Sequence, residues 1–276
     1  MSQAVLSKTA DFAGYADDEM NVIYGKSPKE CNAKILAVVQ ERIKWYKEIG
    51  ISLNLSKTEI IGFGFTPDSI AIDGHTIIPS SSITYLGVCI QSNLSWEKHI
   101  NTLCNKIRSL AGRIRVEGRH LCTSDKRKLF LGWILGTINS NGLVFLSSAT
   151  QTELDKIQVA MNAGVRAIVG LPRYGHFNIS ILRSKLNLPS IHSIRSRIMS
   201  IEAWKRFSKV ELEKEVKGPI TRGRTNRNIP LPDQKGHHGK LTDNMLIGTW
   251  NTLPLEIKNE ENGNKAKKSI KKLFTA

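Results

Sequence analysis

Apolar residues along this chain follow two periods, one of three and four residues over long stretches and one of two over short ones. The first long stretch opens at Ser27-Pro28-Lys29-Glu30, which has the form of a helix N-cap with proline at the first helical position and an acid in the first turn. Its apolar positions Ile35, Val38, Val39, Ile43 and Tyr46 predict a helix running to about Glu48, closed by Ile49-Gly50, with Trp45 beside the stripe as packing. Ahead of it, short apolar runs on either side of Ala16, Asp17 and Asp18 predict a β-hairpin with the two aspartates at its tip. Residues 1 to 10 read as a frayed start or as the tail of something missing.

After the helix the period falls to two. Ile51 to Leu55 predicts a strand, Ser56 to Glu59 a turn and Ile60 to Phe65 a returning strand. Another strand pair is expected around Ile70 to Ile78, turning at Asp73-Gly74, followed by a strand over Ser82 to Ile90. Gly87 within that strand suggests a bulge or the close approach of another backbone, either a nucleic-acid strand or a neighbouring β-strand.

From Trp96 the helical period returns, with Ile100, Leu103, Cys104, Ile107, Leu110 and Ile114 on one face. Leu129 to Ile138 and Leu154 to Val169 continue a helical bundle that breaks at Gly170 to Gly175. Shorter helices are expected at Ile179 to Leu186 and Ile191 to Phe207. A basic, weakly ordered stretch follows from Lys217 to Gly239, then a compact closing unit from Thr249 to Lys258 and a lysine-rich tail.

Charge changes the picture more than composition does. Of the 276 residues, 40 are Lys or Arg and 24 Asp or Glu, a formal net charge of +16 that calls for a polyanionic partner, nucleic acid first. The excess is strongest beside the second long helical stretch, where Lys98, Lys106, Arg108, Arg113, Arg115, Arg119, Lys126, Arg127 and Lys128 face only Glu97, Glu117 and Asp125. Such one-sidedness favours phosphate contact over a merely solvated face. No apolar run approaches the roughly 20 residues of a membrane span, and no basic-then-apolar leader opens the chain, so an intracellular protein without membrane contact is expected. Four scattered cysteines, without C-x-x-C spacing, indicate neither a zinc site nor a disulfide framework, and His237-His238 reads as a loop.

Two readings stand for Asp17 and Asp18: an ordinary exposed turn, or hard oxygen ligands for Mg²⁺ of the kind used in phosphoryl and nucleotidyl transfer. Lys57 likewise is either a solvated turn lysine or a cation aimed at a triphosphate or leaving pyrophosphate.

Taken in order, these landmarks resemble the reverse transcriptase of non-LTR retrotransposons. Tyr15-Ala16-Asp17-Asp18 looks like its polymerase signature, and Leu53-Asn54-Leu55-Ser56-Lys57-Thr58-Glu59 is similar to the next palm motif. Tyr85-Leu86-Gly87-Val88 with Leu94-Ser95-Trp96-Glu97-Lys98-His99-Ile100 resembles the primer-grip hairpin running into the thumb, and Trp250 to Ile257 the closing motif. The resemblance implies an α+β fold: a partial palm of antiparallel hairpins plus a helix (about 1–92), a helical thumb (93–175) and a basic C-terminal region of helices and loops (176–276).

It further implies an RNA-directed DNA polymerase acting on an RNA template and DNA primer. Asp17 and Asp18 would hold two Mg²⁺ in the complete enzyme, Lys57 would be an electrostatic or acid group, and Tyr15 would sit near the primer terminus. Tyr85, Leu86 and Gly87 would form the primer grip, with Lys98, Lys106, Arg108, Arg113 and Arg115 on the nucleic acid. The family's third carboxylate and its fingers have no counterpart after Asp18, so the expectation is the C-terminal part of a polymerase, inactive alone unless another polypeptide supplies the rest. A non-catalytic basic nucleic-acid binder, or a retroelement relic, is the alternative.

Overall fold

The computed structural model describes residues 10–172, 174–209, 227–229 and 239–274. The fold is mixed α and β, with helices dominating and strands confined to small antiparallel pairs. The chain divides into two units, residues 1–99 and 100–276. Most of the basic stretch between 217 and 239, His237-His238 included, lies outside the described residues. Among the described residues no helix is long and apolar enough to cross a membrane.

In the first unit β1 (Ala10–Tyr15) pairs with β2 (Asp18–Ile23), register Ala10↔Ile23 through Tyr15↔Asp18. Helix α1 (Pro28–Glu48) starts as expected: the Ser27 hydroxyl accepts from the Glu30 amide, and proline occupies the first turn. Gly50, at φ 75°, follows its end. Val38 of α1 is buried against Ala10 and Ile23 of the hairpin. Ile35 and Val39 pack instead on a separate cluster of Ile60, Ile70 and Ile77.

The strand pair expected over Ile51 to Leu55 and Ile60 to Phe65 does not form. Leu55–Lys57 makes a single 3₁₀ turn, and the flanking residues are irregular. Local polar side chains supply the reason. The Asn54 carbonyl accepts both the Lys57 amide (3.1 Å) and the Thr58 hydroxyl (3.0 Å), and Ser56 donates to the Asn54 side chain, so the backbone is satisfied within the turn rather than in a ladder.

The next pair is present as β3 (Ile70–Ile72) and β4 (His75–Ile77), joined by Asp73 and Gly74 at φ 49° and 77°, the left-handed geometry of a tight hairpin. The strand expected over Ser82 to Ile90 is a hairpin too. β5 (Ser82–Tyr85) turns back through Leu86 and Gly87, at φ 47° and 79°, into β6 (Val88–Gln91). Gly87 therefore makes a turn, not a bulge.

Helix α2 (Glu97–Val116) follows, with Ile100, Cys104, Ile107, Ala111 and Ile114 buried along one face. In the second unit α3 (Thr123–Leu129) passes through a wide π-helical turn at Phe130–Leu135 into α4 (Gly136–Ser140) and α5 (Gly142–Leu146). Helix α6 (Gln151–Val169) opens with a capping box between Thr150 and Glu153 and closes on Gly170 at φ 74°. Short α7 (Ile179–Lys185) leads to α8 (Ile191–Phe207). Helices α9 (Gly239–Thr252), α10 (Leu255–Lys258) and α11 (Gly263–Leu273) close the chain. A core of Met199, Ala203, Trp204, Leu246, Trp250, Leu253, Ile257, Ala266 and Ile270 joins α8 to all three. The lysine-rich tail is thus an ordered helix, because Ala266 and Ile270, one turn apart, dock it.

Candidate functional site

The β1–β2 turn has two central residues, Ala16 and Asp17. Ala16 stands at φ 54°, a left-handed conformation that costs a residue with a Cβ about 1–2 kcal/mol. Asp17 and Asp18 are both exposed, and among the described residues neither side chain has a hydrogen bond or ion pair. Tyr15, paired with Asp18, is 67% exposed.

Alternation separates the three successive carboxylates. Residues one apart on a strand point to opposite faces, so Asp18 shares a face with Tyr15 while Glu19 shares the other with Phe12, toward α1. There Glu19 is fully engaged. Its Oε1 lies 2.7 Å from Arg42 Nε and accepts from Asn21 Nδ2 at 2.7 Å, and its Oε2 accepts the Tyr46 hydroxyl at 2.5 Å. The Arg42 guanidinium lies 4.6 Å from the Phe12 ring centre and 5.8 Å from that of Trp45. Burial first, then the bond to Glu19, pushes the Tyr46 phenol up to about 12. Arg42, Tyr46 and Val38 are spaced by four on α1, so the helical period already placed this arginine on the inward stripe.

Lys57 is exposed in its 3₁₀ turn, and no contact joins it to Asp17 or Asp18. Tyr85, Leu86 and Gly87 form the apex of the β5–β6 hairpin, a sheet separate from β1–β2. That hairpin is tied to the start of α2. Gln91 Oε1 accepts the Lys98 amide at 2.7 Å, Lys98 Nζ donates to Ser82 Oγ at 2.5 Å, and the Cys89 amide donates to His99 Nδ1 at 3.3 Å. Burial lowers the His99 pKa, which keeps Nδ1 an acceptor.

The basic residues of α2 divide by partner. Arg113 is held bidentately by Glu117 (2.8 and 3.1 Å) and lies 4.8 Å from the Trp133 ring centre, while Arg108 donates to Asn105 at 3.2 Å. Lys106 and Arg115 are exposed with no partner among the described residues. Arg127, counted in the same basic run, donates to the carbonyls of Leu186 (2.6 Å) and Asn187 (3.1 Å) and so caps the end of α7.

The Trp250-Asn251 motif does a structural job that its sequence did not announce. Trp250 is 1% exposed and donates from Nε1 to the Arg227 carbonyl at 2.7 Å. Asn251 exchanges two 2.8 Å hydrogen bonds with the backbone of Ile229, and buried Lys258 donates to Asn228 Oδ1 at 2.8 Å. Burial, then the nearby Arg227, lowers the Lys258 pKa. Segment 227–229 is clasped by these side chains.

Hard oxygens at the β1–β2 tip suit Mg²⁺, but two are too few for a closed site, and among the described residues no three of His, Cys, Asp and Glu gather as a metal-binding group. Comparisons with protein-family models, with curated proteins and with solved structures find no match to this chain.

Proposed function

We propose that the chain is a piece of a reverse-transcriptase-type polymerase that engages template and primer and does not polymerise by itself. The observation that carries this reading is the Tyr15↔Asp18 register, which puts Asp17 on the two-residue turn and Asp18 at the first position of β2, both exposed and without a side-chain partner among the described residues. A β-hairpin running directly into a basic helix, at Tyr85 to Lys106, supports it. With two hard-oxygen donors and no third beside them among the described residues, no step of nucleotidyl transfer is assigned to these residues alone.

The test is an RNA-templated primer-extension assay with Mg²⁺, run beside hybrid-duplex binding over a salt series. No extension is expected, with binding that falls steeply with salt. Neutralising both aspartates (Asp17→Asn with Asp18→Asn) is expected to change hybrid affinity, and its response to Mg²⁺, severalfold. Magnesium-dependent product that Asp17→Asn abolishes would overturn the inactivity. Binding indifferent to both substitutions would favour a non-catalytic nucleic-acid binder, a reading that the unpaired Lys106 and Arg115 on α2 also suit.

A further inference from the structure

Helix α11 reads Gly263-Asn264-Lys265-Ala266-Lys267-Lys268-Ser269-Ile270-Lys271-Lys272-Leu273. At 100° per residue its five lysines occupy an arc of about 160°, centred opposite Ala266 and Ile270. Those two are 0% exposed in the core shared with Trp204 and Trp250. The lysines are exposed, and among the described residues no ion pair joins Lys265, Lys267, Lys268 or Lys271 to an acid, although Glu260 and Glu261 lie just ahead of the helix.

A solvated face serves solubility equally well with mixed signs, but α11 carries one sign only. Lys267 and Lys271, like Lys268 and Lys272, stand four residues apart, where like charges repel. Lys265 lies in the first turn, where the helix dipole disfavours a cation and no acid is present. Docking through Ala266 and Ile270 holds an array that would be self-repelling in isolation.

We propose that this lysine face is a phosphate-binding surface, additional to α2, that takes the sugar-phosphate backbone of a nucleic-acid duplex irrespective of sequence. A lipid surface is the weaker fit. A helix binding there lays its apolar face into the headgroup boundary, and on α11 that face is already occupied by the protein core. Leu273 is its one exposed large apolar side chain. The inference rests on the nucleic-acid partner proposed above.

The test uses the full chain, a fluorescein-labelled RNA–DNA hybrid and fluorescence anisotropy over a salt series. Replacing three lysines together (Lys267→Gln, Lys268→Gln and Lys271→Gln) is expected to reduce the slope of log affinity against log salt by roughly 2 to 3, about 0.9 per lost phosphate contact. Glutamine keeps helix propensity, and the matching triple change to arginine is expected to retain the slope. An unchanged slope in the glutamine variant, with wild-type binding intact, overturns this inference alone. Wild-type protein that binds no hybrid overturns the proposed function with it. Intact hybrid binding in a glutamine variant that no longer binds phosphatidylserine vesicles overturns the inference in favour of a membrane.

Discussion

Glu19 and Arg42 meet at 2.7 Å across the seam between β2 and α1, with 14% and 11% of their side chains exposed. The contact is an ion pair without hydrogen-bond alignment at Nε. It joins a strand residue two positions from the turn to the C-terminal half of the helix packed on the hairpin, with the Arg42 guanidinium against the Phe12 and Trp45 rings.

Glu19→Gln leaves the Arg42 charge in place with its counter-charge gone, and is expected to destabilise the first unit by about 2–3 kcal/mol. Urea unfolding followed by circular dichroism checks it. Arg42→Gln is expected to cost as much, and the double variant less than the sum of the two. Single variants with unaltered midpoints would show that the pair does not hold the hairpin.

Tyr46 gives a pH dependence of definite sign. Its pKa is raised from 10.0 to about 12, so the folded state holds the phenolic proton more tightly than the unfolded chain does. The stability it contributes is fully present below pH 10.0 and is lost as pH rises toward 12. Urea midpoints measured through that window are expected to fall for wild type more steeply than for Tyr46→Phe. Parallel curves would refute the assignment.

At the turn itself, Ala16 pays for φ 54° with a Cβ that glycine lacks. Ala16→Gly is expected to raise stability by about 0.5–1 kcal/mol, the relieved strain exceeding glycine's added chain entropy. Ala16→Val is expected to lower it. Thermal unfolding of the two variants decides, and a reversed order would mean that the turn adopts another geometry.

Gly164 marks a close helix contact in the second unit. A Cβ there would stand 2.7 Å from Ile134 Cδ1 and 2.7 Å from the Phe130 ring, both in the π-helical turn against which α6 packs. Gly164→Ala is expected to cost about 1–3 kcal/mol by overpacking. A variant as stable as wild type would show that the π-helical turn yields without loss.

The long helices were legible because their caps and stripes agree, as at Ser27-Pro28 and along Ile100 to Ile114. The Asp17-Asp18 tip was legible for a related reason, two apolar runs divided by turn residues. The failures came where local hydrogen bonding outweighed alternation. Asn54, Ser56 and Thr58 close a turn where a strand was expected, and Leu86-Gly87 reverses a strand that reads as continuous. Partner choice was not legible at all. Nothing in the basic run around α2 distinguishes Arg127, which donates to two carbonyls, from Lys106, which has no partner among the described residues, because the carbonyls that Arg127 caps lie some 60 residues further along the chain.

The core of α8 implies an order of assembly during synthesis. Met199, Ala203 and Trp204 pack with Leu246, Trp250, Ile257, Ala266 and Ile270, and the Trp204 indole donates to the carbonyl of Ile257, 53 residues later. While the ribosome is still making the stretch between them, that apolar face of α8 has none of these later partners to pack against. This core then waits on α11, whose Ala266 and Ile270 are the last of its buried residues to be translated.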